Sequence, residues 1–178
     1  MKKIWIIAVV AVFSANFCKK SVAGQKTQWQ NSLKDLDEAA TQYPKLKSLL
    51  MAKATEAKAI YAEADKAGGE EQKAEKISAA IAKINENLGV VVEIKHKLKN
   101  IDSTIDKVTK VKTSTDRANR ATSEIKAIRR EQATIEADFS ALNPENSEAL
   151  NKQAREIVGR IISLSGRADR VLRLVKGK

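Results

Sequence analysis

Residues 150–175 read LNKQAREIVGRIISLSGRADRVLRLV, and this stretch contains the most regular hydrophobic pattern of the chain. Its apolar residues recur at alternating steps of four and three, the spacing that keeps side chains on one face of an α-helix. The stretch therefore predicts a helix that packs against a core and carries arginines on its outer face. The predicted core positions are Leu150, Ala154, Ile157, Ile161, Leu164, Ala168, Val171 and Val175, and the outer arginines are Arg160, Arg167, Arg170 and Arg173.

The same spacing predicts further helices upstream. Thr27 and Gln30 fit a capping box, so a first helix is expected to begin at Thr27. Pro44 favours the first turn of a new helix or a kink in a continuing one, and Gly68 with Gly69 favours its end. Together the predicted helices cover 27–42, 44–67, 70–112, the stretch from a break at 113–116 to 140, and the stretch that follows a turn at 143–147.

The predicted helix at 70–112 is long, about 65 Å at 1.5 Å per residue. The molecule is therefore expected to be a rod or to bend near Gly89, where the step from Val91 to Ile94 breaks heptad order. Short connections favour antiparallel neighbours. We expect an all-α fold, an elongated antiparallel helical bundle of about four main helices with coiled-coil-like packing, in which residues 27–178 form a single domain. Aromatic residues are only 4% of the chain, so the core should consist of Ile, Leu, Val and Ala.

The N-terminus has a different pattern. Met1, Lys2 and Lys3 are followed by ten apolar residues, Ile4 to Phe13, and then by polar and small residues up to Cys18. This layout is typical of an export signal, and ten helical residues reach only about 15 Å, half of a bilayer core. Residues 1–18 resemble the signal of bacterial lipoproteins, in the looser form found in spirochaetes.

The resemblance implies that residues 1–17 are a signal peptide and that Cys18 is the lipidated first residue, with 18–26 as a tether. Acyl chains such as palmitate would then hold the protein on the inner or outer membrane of the cell envelope. Two alternatives remain open. Cleavage after Ala23 would release a soluble periplasmic protein, and an uncut leader would be a membrane anchor. Cys18 is the only cysteine, so no internal disulfide can form.

Positive charge is concentrated in two stretches. Residues 93–130 contain eleven Lys and Arg against five acids, and residues 152–178 contain eight against two. The intervening stretch 131–151 contains five acids and no Lys or Arg. Basic residues at helical spacing are typical of a solvated surface, and they also attract anionic lipid or polysaccharide. We expect such a contact at Arg160, Arg167, Arg170 and Arg173.

The residues needed for catalysis are scarce. His96 is the only histidine and lies between two lysines on an expected solvent face. One histidine and one distant cysteine do not make a zinc or copper site, and Gly68-Gly69 lacks the spacing of a phosphate-binding loop. We therefore expect no enzyme, no cofactor and no metal. Export and the lack of aromatic residues in the basic stretches argue against a nucleic acid partner.

These patterns favour a non-catalytic envelope lipoprotein whose helical scaffold has a structural or binding role. It would dock to anionic envelope or host polymers. The alternative is a soluble periplasmic holdase, because small basic helical chaperones resemble this chain in size, charge and helix content. A third hypothesis is association with itself or with a helical partner protein through the last helix, where Val158, Ile162 and Leu172 widen the apolar face.

Overall fold

The structure, a computed structural model, describes residues 21–177 and is all-α over that range, as the sequence predicts. It has five α-helices where about four main ones were expected, because the chain before Gly68 forms two separate helices. These are α1 Val22–Gln42, a 3-10 turn at Pro44–Leu46, α2 Lys47–Ala64, α3 Glu70–Thr109, α4 Thr115–Ala141 and α5 Ser147–Lys176.

The first half of α3 forms a three-helix bundle with α1 and α2. α2 runs antiparallel to α3 after the Gly68-Gly69 turn, and the Asn87 side-chain amide donates to the Leu49 carbonyl at 3.1 Å. α1 runs parallel to α3, since Gln25 Nε2 donates to Ser78 Oγ at 2.8 Å near the start of both helices. Trp29 of α1 stacks on Tyr61 of α2 with ring centroids 4.8 Å apart. This contact joins α1 to α2, the remaining pair of helices in the bundle.

The second half of α3 forms a second bundle with α4 and α5. Gln132 of α4 donates to Asp102 of α3 at 3.1 Å, and Arg160 of α5 donates to Asp138 of α4 at 2.6 Å. α4 is therefore antiparallel to both α3 and α5, so α5 runs parallel to α3. The two bundles meet at an edge-to-face contact between Tyr43 and Phe139, whose ring centroids are 4.6 Å apart. α3 is therefore the shared element of both bundles.

α3 continues through Gly89 without interruption, and its 40 residues give a length of about 60 Å. The sequence predicts a rod or a bend near Gly89, and the helix is not interrupted there. The apolar spacing predicts one stripe from Ile77 to Val111, and it is buried from Ile77 to Val108, whereas Val111 lies past the end of the helix and is partly buried. The buried apolar positions of the stripe are Ile77, Ile81, Ile84, Leu88, Val91, Ile94, Leu98, Ile101, Ile105 and Val108.

The first helix begins earlier than expected. Ser21 is its N-cap, and the Ser21 hydroxyl accepts a hydrogen bond from Gly24 N at 3.2 Å. Thr27 lies inside the helix, where its hydroxyl donates to the Ala23 carbonyl at 3.1 Å. The capping-box assignment at Thr27 was wrong, and the expected tether at 18–26 includes a helical turn from Val22 onward. A Ser cap six residues upstream accepts from a first-turn N–H group instead.

The pattern of α5 is confirmed in full. All eight predicted core positions are buried, from Leu150 to Val175. Of the residues that widen this face, Val158 and Leu172 pack partly buried against the core, whereas Ile162 remains 57% exposed. The core is mostly aliphatic, and its large aromatic members among the described residues are Trp29, Tyr43 and Phe139.

Substitution of Ile135 by alanine should lower the free energy of unfolding by about 2–5 kcal/mol, because this α4 side chain is fully buried and its removal leaves a cavity. Ile162→Ala is the matched control, and at this exposed position we expect a change within about 0.5 kcal/mol. Urea unfolding followed by circular dichroism measures both. Equal losses for the two variants would contradict the assigned burial.

Candidate functional site

The four predicted arginines fall into two pairs with different surroundings. Arg160 and Arg167 lie in the middle of α5 and bridge to α4. Arg160 pairs with Asp138 at 2.6 Å, and Arg167 pairs with Glu131 and, at 3.4 Å, with Glu124. Both side chains are half-buried. The acidic stretch of the sequence thus neutralises these two arginines, so the expected polyanion contact does not extend over all four residues as one free surface.

Arg170 and Arg173 lie nearer the C-terminal end of α5 and are exposed. Within residues 21–177, no carboxylate lies within ion-pair distance of either side chain. The end of α3 and the start of α4 pack beside them. Arg117 of α4 touches the end of α5, since a Cβ atom at Gly177 would lie 2.7 Å from its guanidinium.

Three helix ends therefore meet at one end of the molecule, and all three carry positive charge. We call this surface the basic end. It comprises the exposed residues Lys107, Lys110, Lys112, Arg117, Arg120, Arg170, Arg173 and Lys176. Only Asp106, Asp116 and Asp169 oppose them in the same segments, 105–120 and 169–177. Sequence reasoning named two of the eight, although the net positive charge of residues 93–130 was a signal for five of the others and that of residues 152–178 for Lys176.

A cleft of about 460 Å³ lies where the end of α1, the middle of α3 and the end of α4 meet. Its walls carry both signs of charge, and two of these charges pair within the protein. Lys95 lies 3.6 Å from Glu38, and Asp102 accepts from Arg129 and Gln132. His96, exposed as expected, has Asn100 at 3.3 Å from its Nδ1. The cleft is thus a polar groove of mixed charge.

Tyr43 is one of the residues that line this cleft. Its ring is buried beside Phe139, and burial raises the pKa of its hydroxyl, with a smaller contribution from the negative charge of Glu136. A raised pKa keeps the phenol neutral at physiological pH. Tyr43 therefore contributes packing and one hydroxyl group, and no charge, to the junction of the two bundles.

A network of two lysines and two glutamates joins α2 to α3. Lys53 lies 2.8 Å from Glu86, and Lys83 lies 3.1 Å from Glu56 and 2.9 Å from Glu86. Hydrogen bonding by Lys83 lowers the pKa of Glu56, and hydrogen bonding by Lys53 lowers that of Glu86. Hydrogen bonds from Lys83 to Glu86 and, as the smaller cause, to Glu56 raise the pKa of Lys83. The network is a structural link across the first bundle.

Carboxyl groups whose pKa is lowered by folding stabilise the protein above their unfolded pKa, and this contribution is lost as the pH falls through the folded value. The double variant Glu56→Gln and Glu86→Gln should therefore lose less thermal stability than the wild type between neutral pH and pH 3. The control pair is Glu75→Gln and Glu145→Gln, two exposed positions outside the network. Melting by circular dichroism across this range measures the effect. Parallel pH curves for wild type and both variants would contradict it.

Cys18, the predicted lipidation site, lies outside the described residues. Within residues 21–177, no group of three or more His, Cys, Asp or Glu side chains converges as a metal ion would require. Over the same range, no helix has an apolar stretch long enough to cross a bilayer. Comparison of the chain with protein-family models, curated proteins and solved structures gave no match.

Proposed function

We propose that this chain is a non-catalytic lipoprotein of a bacterial cell envelope. Acyl chains at Cys18 hold it on a membrane, and its helical scaffold binds anionic envelope or host polymers through a basic surface. The leader-like residues 1–17 and Cys18 support the anchor. The observation that carries the binding role is the basic end, where eight exposed Lys and Arg side chains stand against three Asp.

Electrostatics supports this role. Like charges gathered on one surface produce a field that attracts anions over about one Debye length, roughly 8 Å at physiological salt. On the rest of α5, Arg160 and Arg167 pair with carboxylates of α4. The basic end, by contrast, combines eight exposed basic side chains with three acidic ones, and within residues 21–177 none of the eight takes part in an ion pair.

The exposed apolar surface favours this proposal over a periplasmic holdase. A holdase binds unfolded chains through hydrophobic patches. In the described part of the chain, the exposed large hydrophobic residues are Met51, Val92 and Ile162, which lie on three different helices. Self-association through α5 is supported no better, because Val158 and Leu172 already pack against the core.

The anchor is tested by intact-mass analysis of the protein recovered from a bacterial host with its full-length sequence expressed. We expect a chain that begins at Cys18 with added acyl mass and that partitions into detergent, because each buried methylene contributes about 0.8 kcal/mol. Cys18→Ser is the control and should carry no acyl mass and remain in the aqueous phase. A mature chain that begins at Gly24, or an uncut chain in the cytosol, would contradict the proposed anchor.

A further inference from the structure

We infer that the basic end is a docking surface for a linear, hydrated polyanion, a polymer with repeated sulfate or phosphate groups, that lies beyond the anchoring membrane. This inference rests on the proposed function and specifies the partner of its basic surface. It is carried by three observations: the assembly of the surface from three helix ends, the placement of its charges, and its distance from the start of α1.

Packing holds the basic end in a fixed arrangement. Val108 of α3, Ala121 of α4 and Val171 and Val175 of α5 are all buried in the hydrophobic core just below it. The basic side chains thus project from three helices whose relative positions are set by that core. Because each helix is about 10 Å across, the surface is about 20 Å wide and spans several repeats of a polymer chain.

Helix dipoles explain only some of these charges. Lys107 in the last turn of α3, and Arg173 and Lys176 in the last turn of α5, complement the negative ends of their helices. Arg117, by contrast, lies in the first turn of α4, where the helix dipole disfavours a cation. Lys110 is the C-cap of α3 and complements its dipole too, whereas Lys112 lies in the connection between helices. Helix stability does not account for Arg117 and Lys112, whereas an anionic ligand would.

The composition of the basic end favours a hydrated polymer over a bilayer. Surfaces that insert into lipid headgroups combine basic residues with exposed apolar ones. The exposed large hydrophobic residues of the described chain are Met51, Val92 and Ile162, and none of them belongs to the segments that form the basic end. A surface of charged side chains alone suits repeated anionic groups in water.

The position of α1 favours a partner beyond the anchoring membrane. Gln25 of α1 bonds to Ser78, so the chain enters the bundle near the start of α3, whereas the basic end lies at Thr109. The distance between these levels along α3 is about 45 Å. The entry end is electrically balanced, since segments 22–30 and 58–76 contain five Lys and five acidic residues. An anchor at Cys18 would leave the basic end free to face outward.

The test compares two triple variants of the protein, expressed from its full-length sequence in a bacterial host and recovered in detergent micelles, with immobilised heparin as the polyanionic probe. One variant carries Lys110→Gln, Arg170→Gln and Arg173→Gln at the basic end. The matched control carries Lys26→Gln, Lys58→Gln and Lys66→Gln, three exposed residues at the entry end. Binding is measured at several NaCl concentrations, and melting curves verify that both variants fold.

We expect the basic-end variant to bind heparin about 100-fold more weakly, since each basic residue near an anionic surface contributes about a factor of five. Its affinity should also depend less steeply on salt, because fewer counterions are released. The control should bind as the wild type does.

Each other outcome overturns a specific statement. Equal losses in both variants would overturn the assignment to the basic end and leave the proposed anionic partner standing. If the wild type does not bind heparin, both the assignment to the basic end and the proposed anionic partner are overturned. The acyl anchor is tested separately, by intact-mass analysis. After removal of the detergent by reconstitution into vesicles, stronger basic-end-dependent binding to added vesicles of phosphatidylglycerol and phosphatidylcholine than to heparin would overturn the choice of a polymer over a bilayer.

Discussion

The hydrophobic stripe of α3 is the constraint on which both halves of the molecule depend. One helix of 40 residues contributes buried side chains from Ile77 to Val108, and it does so to two different pairs of partners. α1 and α2 cover the first half, and α4 and α5 cover the second. Because neither pair of helices has a third partner other than α3, loss of its apolar spacing would open both bundles.

The junctions contain the polar and aromatic exceptions to an aliphatic core. Asn87 is fully buried and donates to the Leu49 carbonyl, but its own side-chain oxygen has no hydrogen-bond partner. A buried amide of this kind lowers stability and favours one register between paired helices. Tyr43 and Phe139 are the aromatic exception, at the place where the two bundles meet. Their edge-to-face contact joins the end of α1 to α4.

Charge is distributed on this scaffold in three ways. Between α2 and α3, and between α4 and α5, lysines and arginines pair with carboxylates across the helix interface. In the cleft, Lys95 and Asp102 pair with the neighbouring Glu38 and Arg129. At the basic end, positive side chains from three helices stand together with few acids. The first two arrangements serve the fold, and the third carries the proposed binding role because its charge is available to a partner.

The sequence by itself determined the helices, because the spacing of apolar residues reports directly which face of each helix is buried. It identified every core position of α5 and the stripe of α3. It misplaced the start of α1. Ser21 and Thr27 are both residue types suited to an N-cap, and only the packing of Val22 and Gln25 selects Ser21. The tertiary structure alone decided which charges are compensated. Asp138 and Glu131 are far from Arg160 and Arg167 in sequence, and only the antiparallel packing of α4 and α5 brings them together.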